Sequence, residues 1–565
     1  MDLAARRPWA LLAANLLVLA AVMAVAIAGT ASLPIGSTAA SGSTAGEPDL
    51  VVGTTGRDPV HSGVYRVALR VISSQVQADP AVGQVRQGPV SKNNRSASLL
   101  VSFADVSPSD RQDAVERIET AVDPGPLVVS YGGEAATLLD ARHELATDFW
   151  RLELLAMPFA ALLLALALGA RLAAAPIICA ATAIAGAVAG LVLLGLVVDV
   201  SLLGTAPAAV VGLVLGIEAP CALFARFRAE GAMRAPRQEA LRRAVQTTTD
   251  LAIPAVVAAS LVTVGLVATS LDQAPSMIVG CTLAAALALG SALVCAPAIV
   301  WLAGDDRHAA GRAPVTVWLA RWPAHLAGRL AGSRRATVLA TSIGAALMLA
   351  AAIPLIHAQG QPFSALDLPP DSSAVKATAL AGITSGAGGD AVFGDLPLAA
   401  GVSAVALVVA LGVLFRSRLA LAIGVMSLLP AAGACGLAVL VFQDGELAGA
   451  IGMSEQGAIE SGAAASLLVA LASVSAGRSA GAMQAAEEAT SGGLQAGWVA
   501  PWAASLLVPG AILASLIGAA ATGVLAGASL YPAREFGLAV AVGLLLDLIL
   551  VRVPVIAALA RRNPS

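Results

Sequence analysis

Long apolar stretches separated by short polar ones run along most of the chain, and this pattern predicts twelve membrane-spanning helices. An α-helix needs about 20 predominantly apolar residues to cross a bilayer. The first stretch, Trp9–Gly29, follows two arginines as a signal peptide would. It is longer than a signal core of roughly 7–15 residues and further spans follow, so a retained span is the favoured interpretation. The other spans are predicted at about Leu152–Leu168, Ala174–Val198, Leu203–Phe224, Leu251–Leu271, Met277–Ala303, Thr337–Ile356, Leu396–Phe415, Leu419–Phe442, Ser461–Ser479, Ala500–Ala521 and Phe536–Leu559.

Between Thr30 and Phe149 the pattern changes to mixed polar sequence with short apolar segments. A Gly/Ser/Ala-rich linker, Gly36–Gly46, opens this region, and Ser107 with Pro108 has the composition of a helix N-cap and first turn. The predicted order of strand, helix, weak strand, strand, helix and strand is that of a ferredoxin-like α+β unit. The six elements are predicted at Leu50–Gly53, Val60–Gln77, Val82–Val85, Ser98–Phe103, Pro108–Ala121 and Leu127–Tyr131.

The composition agrees with a membrane protein and argues against several other classes. Hydrophobic residues make up 58% of the chain and charged residues 12%, whereas soluble globular proteins carry about 25% charged residues. The net charge is −3 and no basic block contains interleaved aromatics, so no nucleic-acid partner is expected. The five cysteines lie in apolar runs without paired spacing, and the histidines are scattered. We therefore expect no cofactor, no metal site and no enzymatic activity.

The distribution of arginines predicts the orientation of the chain in the membrane. The arginine-rich loops all fall on one side of the predicted spans, which by the positive-inside rule places both termini in the cytoplasm. The predicted divisions are a first transmembrane helix at 1–29, an extracytoplasmic α+β porter domain at 30–150, spans two to six at 151–303, a cytoplasmic loop at 304–336, span seven at 337–357, a truncated second extracytoplasmic insert at 358–395, spans eight to twelve at 396–560 and a cytoplasmic tail at 561–565.

The two halves of the chain resemble each other. Ala170–Ala173 (ARLA) opens the third predicted span and Ser417–Ala420 (SRLA) opens the ninth. Each half has one span, an external insert and then five spans. This organisation predicts a polytopic, all-α membrane bundle built from two parallel six-helix repeats.

One carboxylate, Glu218, lies in the middle of the fourth predicted span and is followed by Pro220 and the basic step Arg226–Arg228. A charge at this depth costs about 2.5–3.5 kcal/mol on an insertion scale, and intramembrane ionisable residues are functional candidates by default. Glu218 is therefore a candidate for proton uptake and release. The alternative is that it is a remnant held by a neighbouring helix.

Three stretches of the chain resemble the MmpL-type branch of the RND (resistance-nodulation-division) transporter superfamily. They are Gly216–Gly231 (GIEAPCALFARFRAEG) in the fourth span, Glu239–Thr249 (EALRRAVQTTT) before the fifth, and Arg534–Leu559 (REFGLAVAVGLLLDLILVRVPVIAAL) in the last. The resemblance covers nearly the whole chain. It implies export of a lipid or another hydrophobic small molecule, driven by the proton motive force.

In that family each half contributes an Asp-Tyr pair at mid-membrane, and the two pairs are thought to relay protons. This chain resembles a shortened, relay-degenerate member. Glu218 keeps the carboxylate of the first pair, Ala219 replaces the tyrosine, and Ala472–Ser479 in the tenth span contains no acid. The second porter domain is also mostly missing.

Val474 and Ser475 stand roughly where the second pair would be, and Ser473 and Ser475 are the candidate hydrogen-bonding neighbours of Glu218. The alternative is that these small residues allow close helix packing. Arg478 lies near the predicted cytoplasmic end of the tenth span, where it would pair with an acid or extend its charged end towards the interface. Asp547 and Arg552 in the last span are interpreted as a structural charge pair.

Two functions from different classes follow from these residues. The first is a proton-coupled exporter whose partners are membrane lipids, a hydrophobic cargo and accessory membrane or periplasmic proteins. The second is a non-transporting accessory or scaffold subunit of a membrane complex that has lost the relay.

Overall fold

Helices dominate the computed structural model, which describes residues 7–30, 48–104, 106–198, 200–201, 204–232, 235–269, 271, 273–303, 321, 325–361, 363–369, 371–381, 391–416, 420–446, 457–494 and 496–559. The helices, numbered in chain order, are α1 (Pro8–Thr30), α2 (Gly63–Gln77), α3 (Pro108–Ala121), α4 (Glu134–Leu168), α5 (Ala170–Gly195), α6 (Thr205–Ala232), α7 (Arg237–Leu261), α8 (Ala274–Leu302), α9 (Arg334–Ala352), α10 (Ser373–Ala381), α11 (Ala391–Phe415), α12 (Ala420–Ala438), α13 (Ser461–Ser491), α14 (Ala496–Gly523), α15 (Tyr531–Leu546) and α16 (Val553–Leu559). The strands are β1 (Leu50–Thr55), β2 (Val82–Val90), β3 (Ser96–Phe103), β4 (Val128–Gly132), β5 (Gly360–Gln361) and β6 (Ile459–Glu460).

Eleven candidate membrane spans are found among the described residues, so the chain is a multi-pass membrane protein. They are α1, α5 to α9, α11 to α14, and the continuous run from α15 to α16. The predicted second span, Leu152–Leu168, falls within the 35-residue helix α4, whose apolar part Pro158–Leu168 is shorter. The count of twelve spans therefore remains a prediction.

The region between α1 and α4 folds into a four-stranded antiparallel sheet with the strand order β2-β3-β1-β4. The elements follow in the predicted order β1-α2-β2-β3-α3-β4, and the weak second strand is present as β2. Ser62 and Ser107 cap α2 and α3, and Pro108 opens α3 as its sequence position predicts. We call this unit the sheet domain. Its core includes Leu50, Val52, Tyr65, Ile72 and Leu99.

The short second insert packs onto the sheet domain. Helix α10 lies against β4 and β1, and Ser373 Oγ accepts a hydrogen bond from the backbone N–H of Tyr131 at 2.8 Å. The backbone N–H of Ala374 donates to Asp140 at 3.0 Å. At Gly132 an added Cβ would lie 2.8 Å from the Cβ of Ala377, so the glycine permits this close contact. The insert thus covers a sheet contributed by the first half of the chain.

Helices from the two halves pack against each other in a reciprocal way. Helix α6 of the first half contacts α14 of the second, and α7 contacts α13. This arrangement agrees with the predicted repeat, because an axis that exchanges the fourth with the tenth span also exchanges the fifth with the eleventh. Helix α7 begins at Arg237, so the predicted EALRRAVQTTT segment is continuous with the following span.

Several predictions lie partly or wholly outside the described residues. They include the linker Gly36–Gly46, most of the loop at 304–336, the residues Ser417–Leu419 of the repeat and the tail at 561–565. The cysteines agree with the sequence interpretation, because all five are free and buried. The predicted division boundaries stay predictions.

Candidate functional site

Glu218 lies midway along α6, at a point where two neighbouring helices approach α6 closely. A Cβ added to Gly216 would lie 2.6 Å from the Cα of Ala180 on α5, and one added to Gly510 on α14 would lie 3.0 Å from the Cβ of Cys221. These small residues therefore bring three backbones together around the carboxylate. The Glu218 side chain keeps 18% of its surface exposed.

The direct partner of Glu218 is Arg478 on α13, so of the two alternatives for Arg478 the structure shows the one in which it pairs with an acid. Arg478 Nε donates to Glu218 Oε1 at 2.6 Å, and the Arg478 side chain is only 2% exposed. The predicted span ended at Ser479, but α13 continues to Ser491, so Arg478 lies well inside the helix. A guanidinium is always charged in proteins, and this one is held by the bundle core.

Arg478 also binds an acid from the last span. Its Nη1 lies 2.7 Å from Asp547 Oδ2, and its Nη2 donates to Ser515 Oγ at 2.9 Å and to the Ala511 carbonyl at 3.3 Å. The guanidinium thus joins helices α6, α13 and α14 to the last span. We call Glu218, Arg478, Asp547 and Arg552 the charge network.

Asp547 and Arg552 form the structural charge pair that the sequence suggested. Arg552 Nη2 lies 3.2 Å and 3.1 Å from the two carboxylate oxygens of Asp547, and both side chains are 2% exposed. Residues 547–552 are π-helical. In an α-helix residues five apart lie about 140° from each other, whereas the i→i+5 hydrogen bonding of a π-helix aligns them. The π segment therefore makes this pair geometrically accessible.

Neither candidate serine is hydrogen-bonded to Glu218 in the described structure. Ser475 Oγ donates to Asp547 Oδ1 at 2.8 Å, so its partner is the acid of the last span and not Glu218. Ser473 Oγ is buried and has no hydrogen-bond partner among the described residues. The sequence predicts Glu218, Ser475, Asp547 and Arg552 as separate candidates, whereas in the structure Arg478 joins them.

The charge network has an accessible end and a sealed end. It contains two carboxylates and two guanidiniums, so its net charge is zero when all four groups are ionised. Glu218 is partly exposed, whereas Arg478, Asp547 and Arg552 are sealed. A proton that reaches the network therefore meets Glu218 first. Neutralising Glu218 would break its ion pair and leave a net charge of +1, with Arg478 held by Asp547.

A second set of charged contacts joins the helices at the end of the bundle away from the sheet domain. Arg226 on α6 lies 3.1 Å from Glu488 on α13 and 3.3 Å from Glu230. Thr247 on α7 donates to the same Glu488 oxygen at 3.1 Å. The Arg226 guanidinium also lies 5.2 Å from the ring centroid of Trp502 on α14. Four of the helices around the charge network are thus held together at this end.

Within the part of the chain that the structure describes, no three His, Cys, Asp or Glu side chains are grouped so that they could hold a metal ion. The charge network is held together by ion pairs and hydrogen bonds.

Comparisons with known proteins agree with this architecture. Residues 55–327 match a family model described as the MMPL family. No curated protein matches the chain significantly. The crystal structure of SecDF, a translocon-associated membrane protein from Thermus thermophilus, is similar with a TM-score of 0.57 at 13% sequence identity, covering 96% of this chain and 98% of that chain. A structure of SecDF in the super-membrane-facing form has a TM-score of 0.47 at 12% identity, with 97% of both chains covered.

The first SecDF structure shows that the fold is shared along almost the whole chain. The family match and this fold indicate a membrane transporter of the RND type. The matched region 55–327 contains the sheet domain from the end of β1 onwards, Glu218 and the helices that surround it. Through this region, which is a little under half of the chain, the protein is similar to the MMPL family.

Proposed function

We propose that this protein is a proton-coupled exporter of a lipid or another hydrophobic small molecule, with Glu218 as its proton-accepting group. The single observation that carries the proposal is the contact between Glu218 and Arg478, which joins the two halves of the bundle at one titratable ion pair. The bilayer is that of a bacterial cytoplasmic membrane, with both termini in the cytoplasm. In this proposal the sheet domain is a ferredoxin-like porter unit outside the cytoplasm, and its strand order β2-β3-β1-β4 supports that assignment.

The coupling follows from the competition between a proton and Arg478 for the same carboxylate. While Glu218 is ionised, Arg478 is shared between the two acids Glu218 and Asp547, and the helices α6 and α13 are tied together. When Glu218 takes up a proton, Arg478 is held by Asp547, Ser475 remains bonded to Asp547, and the tie to α6 is lost. One proton thereby changes the contact between the two halves, as alternating access requires.

The test is transport by the purified full chain in liposomes. An imposed pH gradient would be followed with an entrapped pH-sensitive dye, and export with a fluorescent phospholipid added to the lipid. We expect Glu218→Gln to remove gradient-driven movement of the phospholipid, because the amide cannot exchange a proton. Glu446→Gln, which neutralises an exposed acid, is the matched control. Unchanged movement in the Glu218 variant would contradict the mechanism.

The competing function is a scaffold subunit that holds a membrane complex together. It is favoured by a specific observation: all four charges of the network are paired, and the sealed part has no titratable group outside these pairs. A permanent ion-pair lock would fix the bundle without transport. This function predicts that Glu218→Gln lowers the stability of the bundle but leaves co-purification with a partner protein unchanged.

The two functions are separated by one measurement on the same sample. A proton-coupled exporter dissipates an imposed pH gradient faster than empty liposomes do, and Glu218→Gln abolishes the difference. A scaffold subunit gives the same rate as empty liposomes before and after the substitution.

A further inference from the structure

Three buried carboxylates lie together near the N-terminal ends of α13 and α15, on the side of the sheet domain. Glu535 is in the first turns of α15, Glu460 precedes α13, and Asp367 belongs to the second insert. Their exposed fractions are 2%, 3% and 1%. We call them the carboxylate cluster. It is separate from the charge network, because Asp547 follows Glu535 by twelve residues along the same helical run, about 18 Å.

Two of the three acids are already bound to neighbouring groups. Glu460 caps α13 and accepts hydrogen bonds from the backbone N–H groups of Gly462 and Ala463 at 2.9 Å and 2.5 Å. A carboxylate at a helix N-terminus is favoured in its charged form. One oxygen of Asp367, Oδ2, accepts from the backbone N–H of Ser364 at 2.7 Å and from its hydroxyl at 3.2 Å.

The third acid, Glu535, lacks the donors that a buried anion requires. Its Oε2 accepts one hydrogen bond, from the backbone N–H of Glu460 at 3.1 Å. Its Oε1 is buried without a partner among the described residues, and so is Oδ1 of Asp367. An unpaired buried carboxylate is so costly that such a group usually becomes neutral. The two partnerless oxygens therefore indicate a missing proton donor.

Apart from its chain neighbour Arg534, the described charged groups that act on Glu535 are acids. Glu460 and Asp367 lie close enough to oppose a negative charge on it. The adjacent Arg534 directs its Nε to the Ala528 carbonyl, at 2.5 Å. The helix also begins with Tyr531, whose ring packs edge-on against Phe442 at 5.6 Å between ring centroids.

The elements that pack against α15 add no cation near Glu535. Helices α12 and α14 and the turn Val524–Gly527 contain no Asp, Glu, Lys, Arg or His. The thiol of Cys435 on α12 contacts the Ala464 carbonyl at 4.0 Å. The nearest arginine of α13, Arg478, belongs to the charge network and follows Glu460 by eighteen residues, about 27 Å along the helix. No described basic side chain is bound to Glu535.

We propose that Glu535 is a second proton-binding site, which holds a proton at neutral pH beside the two acids of the carboxylate cluster. The proton converts the carboxylate to a carboxylic acid and gives the cluster the O–H donor that it lacks. A proton fits better than a metal ion, because the described acids are not grouped with metal-ligand geometry. The proposal goes beyond the proposed function, since a proton can bind here whether or not Glu218 drives transport.

The location of Glu535 gives the proton a structural effect. Glu535 accepts from the backbone of β6, and β6 pairs in parallel with β5 of the second insert. Loss of the proton would bring a negative charge against Glu460 and Asp367, and so separate α13, α15 and the insert. The protonated site therefore holds the insert, and through it the sheet domain, onto two helices of the charge network.

Infrared spectroscopy of the purified full chain in detergent tests the proposal directly. At pH 7 we expect a carboxylic-acid C=O band that shifts in D₂O, and we expect Glu535→Gln to remove one component of it. Glu446→Gln changes an exposed acid on the same side and should leave the band intact. An unchanged band in the Glu535 variant would overturn the proposal.

Two further measurements keep the result decisive. Because an amide resembles the neutral acid, the Glu535→Gln variant should fold, and its unfolding temperature should equal or exceed that of the unmodified protein. A lower unfolding temperature, or a failure to fold, would mean that Glu535 is an anion with a partner and would contradict the proposal. Asp367→Asn removes a negative neighbour, so the Glu535 band should disappear at a lower pH than in the unmodified protein. If the pH at which the Glu535 band disappears is the same in both proteins, Asp367 does not act on Glu535 and the carboxylate cluster is contradicted. None of these results depends on transport, so they can fail while the Glu218 mechanism holds.

Discussion

Arg478 Nε lies 2.6 Å from Glu218 Oε1, although the two residues belong to helices from opposite halves of the chain. The contact connects a partly exposed carboxylate with a guanidinium that is sealed in the bundle. A buried ion pair contributes less stability than its distance suggests, because both ions lose water. Removing one partner is costly, however, since the other charge is left unpaired.

The first prediction concerns Arg478. Arg478→Leu leaves Glu218 and Asp547 without their shared cation, and we expect a loss of about 3–5 kcal/mol in the free energy of unfolding. The measurement is denaturant-induced unfolding of the purified protein in mixed micelles. Arg242→Leu is the control, because Arg242 is 54% exposed and, among the described residues, its ion pair is with Glu239; it should change stability much less than Arg478→Leu does. Equal losses in the two variants would contradict the structure.

The second prediction compares the two acids of the charge network. Asp547→Asn leaves Arg552 without its carboxylate and Arg478 with Glu218 alone, and Asp547 is 2% exposed, so we expect a loss of about 3–5 kcal/mol. Glu218→Gln removes one charge at the accessible end, where water can solvate the remainder, and should cost about 1–3 kcal/mol. Unfolding of the two variants under identical conditions shows which one loses more stability. A larger loss for Glu218→Gln would show that the accessible end has been assigned to the wrong acid.

The same residues show what could be predicted from the sequence. The positions of the spans followed from the length and continuity of the apolar runs. The strands and helices of the sheet domain followed from the spacing of hydrophobic residues and from helix-capping residues such as Ser107. Glu218 was conspicuous because a charge is rare at that depth.

The role of Arg478 was not predictable, for two physical reasons. The apolar run of the tenth span weakens after Ser479, but the helix continues because it is buried on all sides and tolerates polar residues without facing lipid. Arg478 is therefore far from the end of the helix, although it is one residue from the end of the predicted span. Its partners also lie on other helices, and hydropathy carries no information about which helices are neighbours. The π-helical register that aligns Asp547 with Arg552 is likewise invisible to a pattern of period 3.6.

The third prediction tests close packing in the second half. A Cβ at Gly436 on α12 would lie 2.0 Å from the Ala351 carbonyl oxygen on α9. Gly436→Ala must push the two helices apart, and we expect a loss of about 1–3 kcal/mol in the free energy of unfolding. Gly412→Ala on α11 is the control, because nothing lies within 4 Å of an added Cβ there. If both variants unfold alike, α9 and α12 are not in contact at this point.

The fourth prediction concerns the sheet domain and its dependence on pH. Burial raises the pKa of Glu119 on α3 to about 7, with further contributions from the negative charges of Asp140 and Glu116. An unfolded glutamate has a pKa of about 4.3. Because the folded pKa is higher, the neutral acid supports folding fully below about pH 4.3, and this contribution disappears as the pH rises through about 7.

Glu119→Gln should remove that pH dependence, since an amide stays neutral throughout. At pH 8 we expect residues 108–140 of the variant to exchange their amide hydrogens more slowly than those of the unmodified protein, whereas at pH 4 the two proteins should exchange alike. Comparing both proteins at each pH cancels the intrinsic change in exchange rate. Glu116→Gln on the exposed face of the same helix should give a smaller effect, because it only removes a neighbouring charge. Faster exchange of the Glu119 variant at pH 8 would mean that the ionised carboxylate stabilises the sheet domain, which its burial among other acids argues against.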